Sequence, residues 1–264
     1  MNLRHLLYPF VVAAALFAAP AFQTTASIAT EPATATAPIA EQPASTAPPK
    51  PAAPAPTPIP GAGKYIAADA IDIHVLLPDP PAPNSPISNG EIELILAAQA
   101  DASPTSRARA IEEDNMKVWL FADVLGTTFN AESKPKTAAF IKQIERDSKA
   151  ISDRAKAIWN RQRPFAQDKR IKLGTEMPGN NSYPSGHATR GQSWTEVLCL
   201  MFPEKAEALQ ARGRLIGFDR LILGVHFPSD VAAGNALGHA IVEEMKKSPA
   251  FQQDLEAAKS EWKP

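Results

Sequence analysis

Cysteine is almost absent from this 264-residue chain, in which Cys199 is the only one. A single thiol cannot close an intramolecular disulfide, so the fold cannot depend on the cross-links that small exported domains often use. Cys199 lies within an apolar pattern of helical period, which predicts a small core side chain. The lack of a cysteine near the N-terminus also removes the residue that a lipid anchor there would need.

An excess of either charge is missing as well. The chain has 27 basic and 28 acidic residues, a formal net charge of −1, and the two signs are interspersed. A protein that binds nucleic acid or an anionic membrane through its overall field needs a basic excess. The sequence therefore predicts no nucleic-acid partner, and any anion site must come from a local cluster of cations.

Two further features are lacking beyond the N-terminus. No stretch is long and apolar enough to predict a membrane-spanning helix. No cluster of Asp, Glu and His has the spacing of Mg²⁺ or Zn²⁺ ligands, and His74 and His239 are interpreted as ordinary loop and helix residues. The sequence predicts a protein with no cofactor or metal and with no span once its leader is removed.

The N-terminus has the order of a secretory signal. Arg4 precedes an apolar run over residues 6–17, which is followed by Ala19-Pro20-Ala21. We predict residues 1–21 to be a signal peptide cleaved after Ala21, which directs the protein to the periplasm. An uncleaved membrane anchor is the alternative.

Composition then divides the rest of the chain in two. Residues 22–63 are mainly Ala, Pro and Thr, and cannot bury enough apolar surface to offset the entropy cost of ordering them. They predict a disordered linker. Residues 64–264 suit one domain with a single core.

Apolar residues at three- and four-residue spacing predict that this domain is an all-α helical bundle. Residues 65–86 are predicted to be extended. The predicted helices cover residues 91–100, 106–125, 136–160, 185–202, 205–223 and 229–246.

The sequence Tyr183-Pro184-Ser185-Gly186-His187 predicts a loop that leads directly into a helix. The free N–H groups and positive dipole end of such a helix favour an anion, and His187 in its first turn can transfer a proton. Taken alone, the sequence is more typical of an ordinary turn followed by a histidine with no special role.

A second block, Lys156-x6-Arg163-Pro164, puts two cations close together. Seven residues are two helical turns, so a helix that continues to Pro164 presents both cations on nearly the same face. The alternative is a solvated basic helix end.

The third block is Arg220-x5-His226-x3-Asp230. Arg220 lies near the end of an apolar helix that Gly224 is predicted to stop, and Ser229 or Asp230 is predicted to cap the next helix. Asp230 can accept a hydrogen bond from His226 and fix its tautomer, which frees the other ring nitrogen as a nucleophile. The alternative is that His226 and Asp230 form only a helix-capping pair. However, a chance occurrence of all three blocks in one chain is improbable.

At these blocks the chain resembles the type 2 phosphatidic acid phosphatase superfamily, which also contains the vanadium haloperoxidases. Within it, the class A bacterial non-specific acid phosphatases are most similar. The resemblance covers about residues 70 to 245 and implies a helical bundle of that kind. It is also compatible with a homo-oligomer, as many class A members are.

The resemblance implies a role for each matching residue. His226 would attack phosphorus and form a phosphohistidine, Asp230 would orient His226, and His187 would protonate the leaving alkoxide. The residues implied to hold the phosphoryl oxygens are Lys156, Arg163, Ser185, Gly186, Arg220 and, in part, His187.

One residue departs from the family pattern, because Asp219 stands where a serine usually precedes the arginine. A carboxylate aimed at a bound phosphate would repel it. We therefore expect Asp219 to turn aside and pair with Arg220 or another cation, or to cap a neighbouring group.

The sequence predicts a metal-independent acid phosphatase that hydrolyses small organic phosphomonoesters. The alternatives are a vanadate-dependent haloperoxidase, which would need vanadate, peroxide and halide, and a phosphatase of lipid phosphates or pyrophosphates. A module that binds phosphate without turnover is the alternative from another class.

Overall fold

The computed structural model describes residues 59–263, and within them it contains α-helices, two short 3-10 turns and no β-strand. The predicted all-α fold is confirmed. The helices are α1 (Ile73–Leu76), α2 (Pro86–Asp101), α3 (Pro104–Asp114), α4 (Ala122–Leu125), α5 (Pro135–Ile158), α6 (Pro164–Gln167), α7 (Gly186–Met201), α8 (Ala206–Ile222), α9 (Pro228–Met245) and α10 (Pro249–Ser260). The 3-10 turns are Val118–Phe121 and Pro203–Lys205.

The predicted signal peptide and most of the predicted linker lie outside the described residues. The last part of that linker, residues 59–63, contacts helix α5. Gln143 Nε2 donates to the Gly61 carbonyl at 2.8 Å, and Gly63 N donates to Asp147 Oδ1 at 2.6 Å. Ordered contacts with the domain therefore begin inside the segment whose composition predicts a linker.

Helix α7 lies at the centre of the fold, packed against α5, α8 and α9. Two glycines of α9 allow the closest of these approaches. A Cβ at Gly234 would lie 2.5 Å from the carbonyl oxygen of Ser185, and one at Gly238 would collide with the carbonyl oxygen of Thr189. Small residues at this crossing bring the N-terminal ends of α7 and α9 together, and Ser185 N donates to the Asp230 carbonyl at 2.9 Å.

The core is built from large apolar side chains around α7. Trp194 and Leu198 of α7, Ile151 of α5 and Leu237 of α9 are all 0% exposed. Of the helices between residues 59 and 263, none combines the length and apolar composition that crossing a membrane requires.

The helix predicted over residues 106–125 is wrong as a single element. Helix α3 ends at Asp114, and Met116 takes a positive φ of 22° that cannot continue a helix. The chain resumes as the 3-10 turn Val118–Phe121 and then α4. The break leaves the carbonyl of Asp114 outside the helical ladder, where it can accept a hydrogen bond from elsewhere.

Other boundaries also differ from the predictions. Helix α5 ends at Ile158, so Arg163 is not on the helix that carries Lys156, and the two do not share a helical face. Helix α9 begins at Pro228, so Asp230 lies inside its first turn and is not the N-cap.

Three helices were not predicted, and one of them is the short α6 that follows Arg163. The segment predicted to be extended contains the short α1, and α10 follows the last predicted helix. Phe251, Leu255 and Ala258 of α10 are buried at helical spacing, a signal that is visible in the sequence.

Candidate active site

A cavity of about 360 Å³ brings the three sequence blocks together. Five of the eight predicted site residues line it: Lys156, Arg163, Gly186, His187 and His226. The other three, Ser185, Arg220 and Asp230, are 0% exposed and stand behind its wall. Residues more than 60 positions apart in sequence therefore meet at one place.

His226 is held between an anion and a cation. Its Nδ1 lies 3.2 Å from Asp230 Oδ2, and its Nε2 lies 2.9 Å from Arg163 Nη1. A carboxylate only accepts and a guanidinium only donates, so Nδ1 carries the proton and Nε2 presents its lone pair. Burial lowers the pKa of His226 to about 3, which the hydrogen bond to Asp230 only partly opposes, and the ring is therefore neutral.

The carboxylate of Asp230 accepts hydrogen bonds from four groups. Besides His226, it accepts from Phe227 N at 2.8 Å, from Arg161 Nη1 at 2.7 Å and from the hydroxyl of Ser182. Burial alone would raise the pKa of Asp230, but the hydrogen bond from His226, the charge of Arg161 and the hydrogen bond from Ser182 outweigh it and lower the pKa to about 2. The carboxylate is therefore fixed in both charge and orientation.

Arg161 and Glu91 extend this network, and the sequence blocks did not identify either one. Arg161 Nη2 donates to Glu91 Oε2 at 2.7 Å, and Glu91 Oε1 accepts from Ser229 N at 2.6 Å. The guanidinium of Arg161 also stacks 3.9 Å from the ring centroid of Phe227. A buried chain of pairs thus runs from Glu91 through Arg161 and Asp230 to His226.

Lys156 and Arg163 both donate hydrogen bonds to the loop that precedes α7. Lys156 Nζ donates to the carbonyls of Asn181 at 2.9 Å and Pro184 at 2.6 Å. Arg163 Nη2 donates to Asn180 Oδ1 at 2.6 Å, and Nη1 donates to the Val225 carbonyl at 2.7 Å. Burial and the nearby charge of Arg163, opposed by the charges of Asp230 and Asp153, lower the pKa of Lys156 to about 7.

Ser185 caps α7, and its Oγ accepts from Ala188 N at 3.3 Å. The helix starts at Gly186, where a Cβ would lie 3.5 Å from both Lys156 Cε and Ser152 Oγ. A Cβ there would be in ordinary van der Waals contact with both, and Gly186 itself lines the cavity at the start of the helix.

His187 and Arg220 meet at the end of α3. His187 Nε2 lies 3.2 Å from the backbone carbonyl of Asp114, and Arg220 Nη1 donates to Asp114 Oδ1 at 3.0 Å. Arg220 Nη2 donates to the Ala110 carbonyl at 3.0 Å. Burial lowers the pKa of His187 well below its usual value, and the charge of Arg220 adds to this effect. Asp114, which also lines the cavity, was not identified from the sequence.

The sequence of the chain matches one protein-family model. Residues 144–251 match the model of the PAP2 superfamily, and this range contains Lys156, Arg163, His187, His226 and Asp230. The chain carries a PAP2 superfamily domain.

Two relatives of the chain are acid phosphatases. An acid phosphatase of Zymomonas mobilis is 28% identical over 193 residues, which cover 70% of this chain and 73% of the relative. A non-specific acid phosphatase of Salmonella typhimurium is 28% identical over 202 residues, which cover 73% and 81%. Among solved structures, the transmembrane PAP2 type phosphatidylglycerolphosphate phosphatase of Bacillus subtilis is similar with a TM-score of 0.45 and 17% identity, over 62% of this chain and 87% of that one.

Two groups around the cavity come from outside the matched range. Glu91 of α2 and Asp114 of α3 precede residue 144, yet the first reaches Asp230 through Arg161 and the second contacts both His187 and Arg220. Helices α2 and α3 therefore supply part of the cavity wall and part of the support behind it.

Asp219, the departure from the family pattern, turns away from the cavity. Both of its oxygens accept from Arg109, Oδ2 from Nε and Oδ1 from Nη2, each at 2.8 Å. Asp219 is 0% exposed. It pairs with a cation as expected, and the partner is Arg109 of α3. The bidentate pair neutralises the carboxylate behind Arg220.

A group of potential metal ligands lies elsewhere on the described part of the chain. Glu196 of α7 and His239 and Glu243 of α9 place their ligand atoms within 4.8 Å of one another. His239 Nδ1 lies 2.8 Å from Glu196 Oε1, and Glu243 pairs with Lys246. The sequence analysis did not identify this group, and none of its members lines the PAP2 cavity.

Proposed function

We propose that this protein is an exported acid phosphatase that hydrolyses small organic phosphomonoesters through a phosphohistidine on His226. The PAP2 domain and the acid phosphatase relatives support phosphoric monoester hydrolysis. The observation that carries the finer proposal is the neutral His226, whose Nε2 lone pair faces the cavity cations while Asp230 holds Nδ1.

The first step transfers the phosphoryl group to the protein. Nε2 of His226 forms a bond to phosphorus while the bond from phosphorus to the ester oxygen breaks, and protonated His187 gives its proton to that oxygen. Arg163, which donates to Nε2 in the free protein, donates to a phosphoryl oxygen instead. Asp230 stabilises the positive charge that develops on His226.

The second step releases phosphate. A water attacks phosphorus, the bond between phosphorus and Nε2 breaks, and the neutral His187 left by the first step accepts a proton from the water. Lys156, Arg163, Arg220 and the N–H group of Gly186 neutralise the phosphoryl oxygens in both steps, and Ser185, whose N–H is bonded to the Asp230 carbonyl, holds the start of α7 in place. Phosphoryl transfer depends mainly on such placement and neutralisation, and three cations and a helix N-terminus supply both.

Export rests on the charged, apolar and small-residue order of residues 1–21. We expect the protein to be released into the periplasm after cleavage following Ala21. The mass of the protein recovered from a periplasmic extract measures the cleavage point.

Replacing the proposed nucleophile tests the function. His226→Ala is expected to lower kcat for a chromogenic phosphomonoester by at least about 10⁴-fold, as loss of a nucleophile does in other covalent enzymes. The measurement is product absorbance under saturating substrate, with thermal unfolding showing that the variant is folded. His239→Ala, a histidine outside the cavity, is the matched control and should hydrolyse normally. Near-normal turnover by His226→Ala would contradict the proposal.

A further inference from the structure

Arg190 lines the same cavity as His187 and His226, yet the phosphoryl transfer described above does not use it. It follows His187 by three residues on α7. Three residues advance a helix by about 4.5 Å and return the side chain to within about 60° of the same face. Arg190 therefore stands about one helical turn beyond the histidine proposed to protonate the leaving group.

The guanidinium of Arg190 has no close partner within residues 59–263: no carboxylate lies within 4.0 Å of it, and it makes no hydrogen bond there. Burial lowers the pKa of Arg190, and Glu145 and Asp153 oppose this only through longer-range charge interactions. Asp153 is itself paired with Lys149 at 2.5 Å. A partly buried cation without a partner is costly, and a bound anion would supply the missing partner.

The cavity has room for such an anion in addition to the scissile phosphate. Its volume of about 360 Å³ lies within the range of roughly 300 to 1,000 Å³ that is usual for small-molecule pockets. The leaving group of a small ester therefore fits inside. Among the other charged groups that line the cavity, Lys149 and Asp153 pair with each other, and Glu176 disfavours an anion close to it.

We propose that Arg190 forms a second anion subsite, and that the preferred substrates are phosphomonoesters whose leaving group carries a carboxylate or a second phosphate. The orientation of the bound ester in the cavity rests on the proposed function, because a leaving group that takes its proton from His187 extends along α7 towards Arg190. A planar guanidinium suits either anion, since it donates two parallel hydrogen bonds to a carboxylate or a phosphate.

Two esters that differ only in the anion test the subsite. 3-Phosphoglycerate has a carboxylate where glycerol 3-phosphate has a hydroxymethyl group. We expect the protein to hydrolyse 3-phosphoglycerate with a kcat/KM about tenfold higher, and Arg190→Gln to lose about tenfold on it while changing kcat/KM for glycerol 3-phosphate by less than about twofold. Arg190→Lys keeps the charge and should retain part of the preference. Arg214→Gln, the same change at an exposed arginine of α8 outside the cavity, is the control.

Equal losses on both esters, or no preference in the unaltered protein, would overturn the subsite. Calorimetric binding of the two esters to His226→Ala separates the subsite from turnover. If the unaltered protein hydrolyses neither ester, the proposed function fails. Tighter binding of 3-phosphoglycerate that disappears in the Arg190→Gln, His226→Ala double variant still supports the subsite, and equal binding of the two esters rejects it.

Discussion

At the scale of single residues, the site contains two histidines that the proposed reaction needs in opposite charge states. Burial lowers the pKa of both, that of His226 to about 3 and that of His187 well below its usual value. The neutral state that a nucleophile needs is therefore the resting state of His226. Near neutral pH, His187 of the free protein is therefore neutral, although a general acid must be protonated. A bound phosphate dianion would stabilise the protonated imidazole of His187.

This difference predicts two distinct pH profiles. In the free protein, protonated His187 becomes more abundant as the pH falls, while His226 stays neutral until the pH approaches about 3. We expect kcat/KM to be bell-shaped with an optimum below pH 6.5, and the alkaline limb of kcat to lie at higher pH because bound substrate raises the pKa of His187. Steady-state profiles of both constants measure this. An unchanged alkaline limb in His187→Gln would show that another group is the acid.

At the scale of elements, one buried network connects two helices and a loop to the nucleophile. Glu91 belongs to α2, Arg161 to the segment after α5, and Asp230 to the first turn of α9. Arg161 bridges the two carboxylates with 2.7 Å contacts. Without Arg161, both would be buried anions that lack a cation, so the packing of α2 against α9 and the orientation of His226 depend on the same group.

Glu91→Gln is expected to lower kcat by about tenfold with little change in KM, because Arg161 then holds Asp230 less firmly without any loss of phosphate contacts. Glu93→Gln is the matched control, since Glu93 is an exposed acid on the same helix, paired with Arg170. Arg161→Ala should also lower the free energy of unfolding by about 3 to 5 kcal/mol, measured in urea. Wild-type kcat in Glu91→Gln would show that the network only supports the fold.

At the scale of the whole molecule, buried titratable groups make stability depend on pH in two directions. His226 and His187 have lowered pKa values, so between the folded and unfolded pKa values the unfolded chain binds protons that the folded protein does not, and acid destabilises the fold. Burial raises the pKa of Glu113 to about 7 and raises that of Glu145, which opposes this trend. The slope of the unfolding free energy against pH is therefore the sum of these opposing contributions. Single variants measure each contribution separately.

We expect His226→Asn to change the slope of unfolding free energy against pH by about 1.4 kcal/mol per pH unit between pH 6 and pH 5. The unfolded histidine, with its pKa near 6.5, is largely protonated in this window, whereas folded His226 stays neutral. The sign follows: His226 favours the folded state above pH 6.5, and this contribution is lost as the pH falls towards 3. Urea titrations at several pH values measure the slope. An identical slope in His226→Asn and the unaltered protein would mean that His226 titrates normally when folded.

The sequence by itself determined the helical class, most of the long helices and the residue types of the site. Each of these depends on residues that are close together in sequence. Apolar spacing indicates a helix, Ser185 and Gly186 indicate a helix start, and His226 and Asp230 are four residues apart. Its errors were local as well. A positive φ at Met116 ended α3 early, and α5 ended before Pro164, because apolar spacing does not record a backbone break.

Only the tertiary structure decided which groups face the cavity and which hold others in place. Arg161 and Arg163 are two residues apart, yet one binds the carboxylates of Glu91 and Asp230 and the other contacts the nucleophilic nitrogen of His226. Asp219 finds its partner in Arg109, 110 residues earlier in the chain. Such pairings follow from how helices distant in sequence pack together, and local spacing carries no information about that packing.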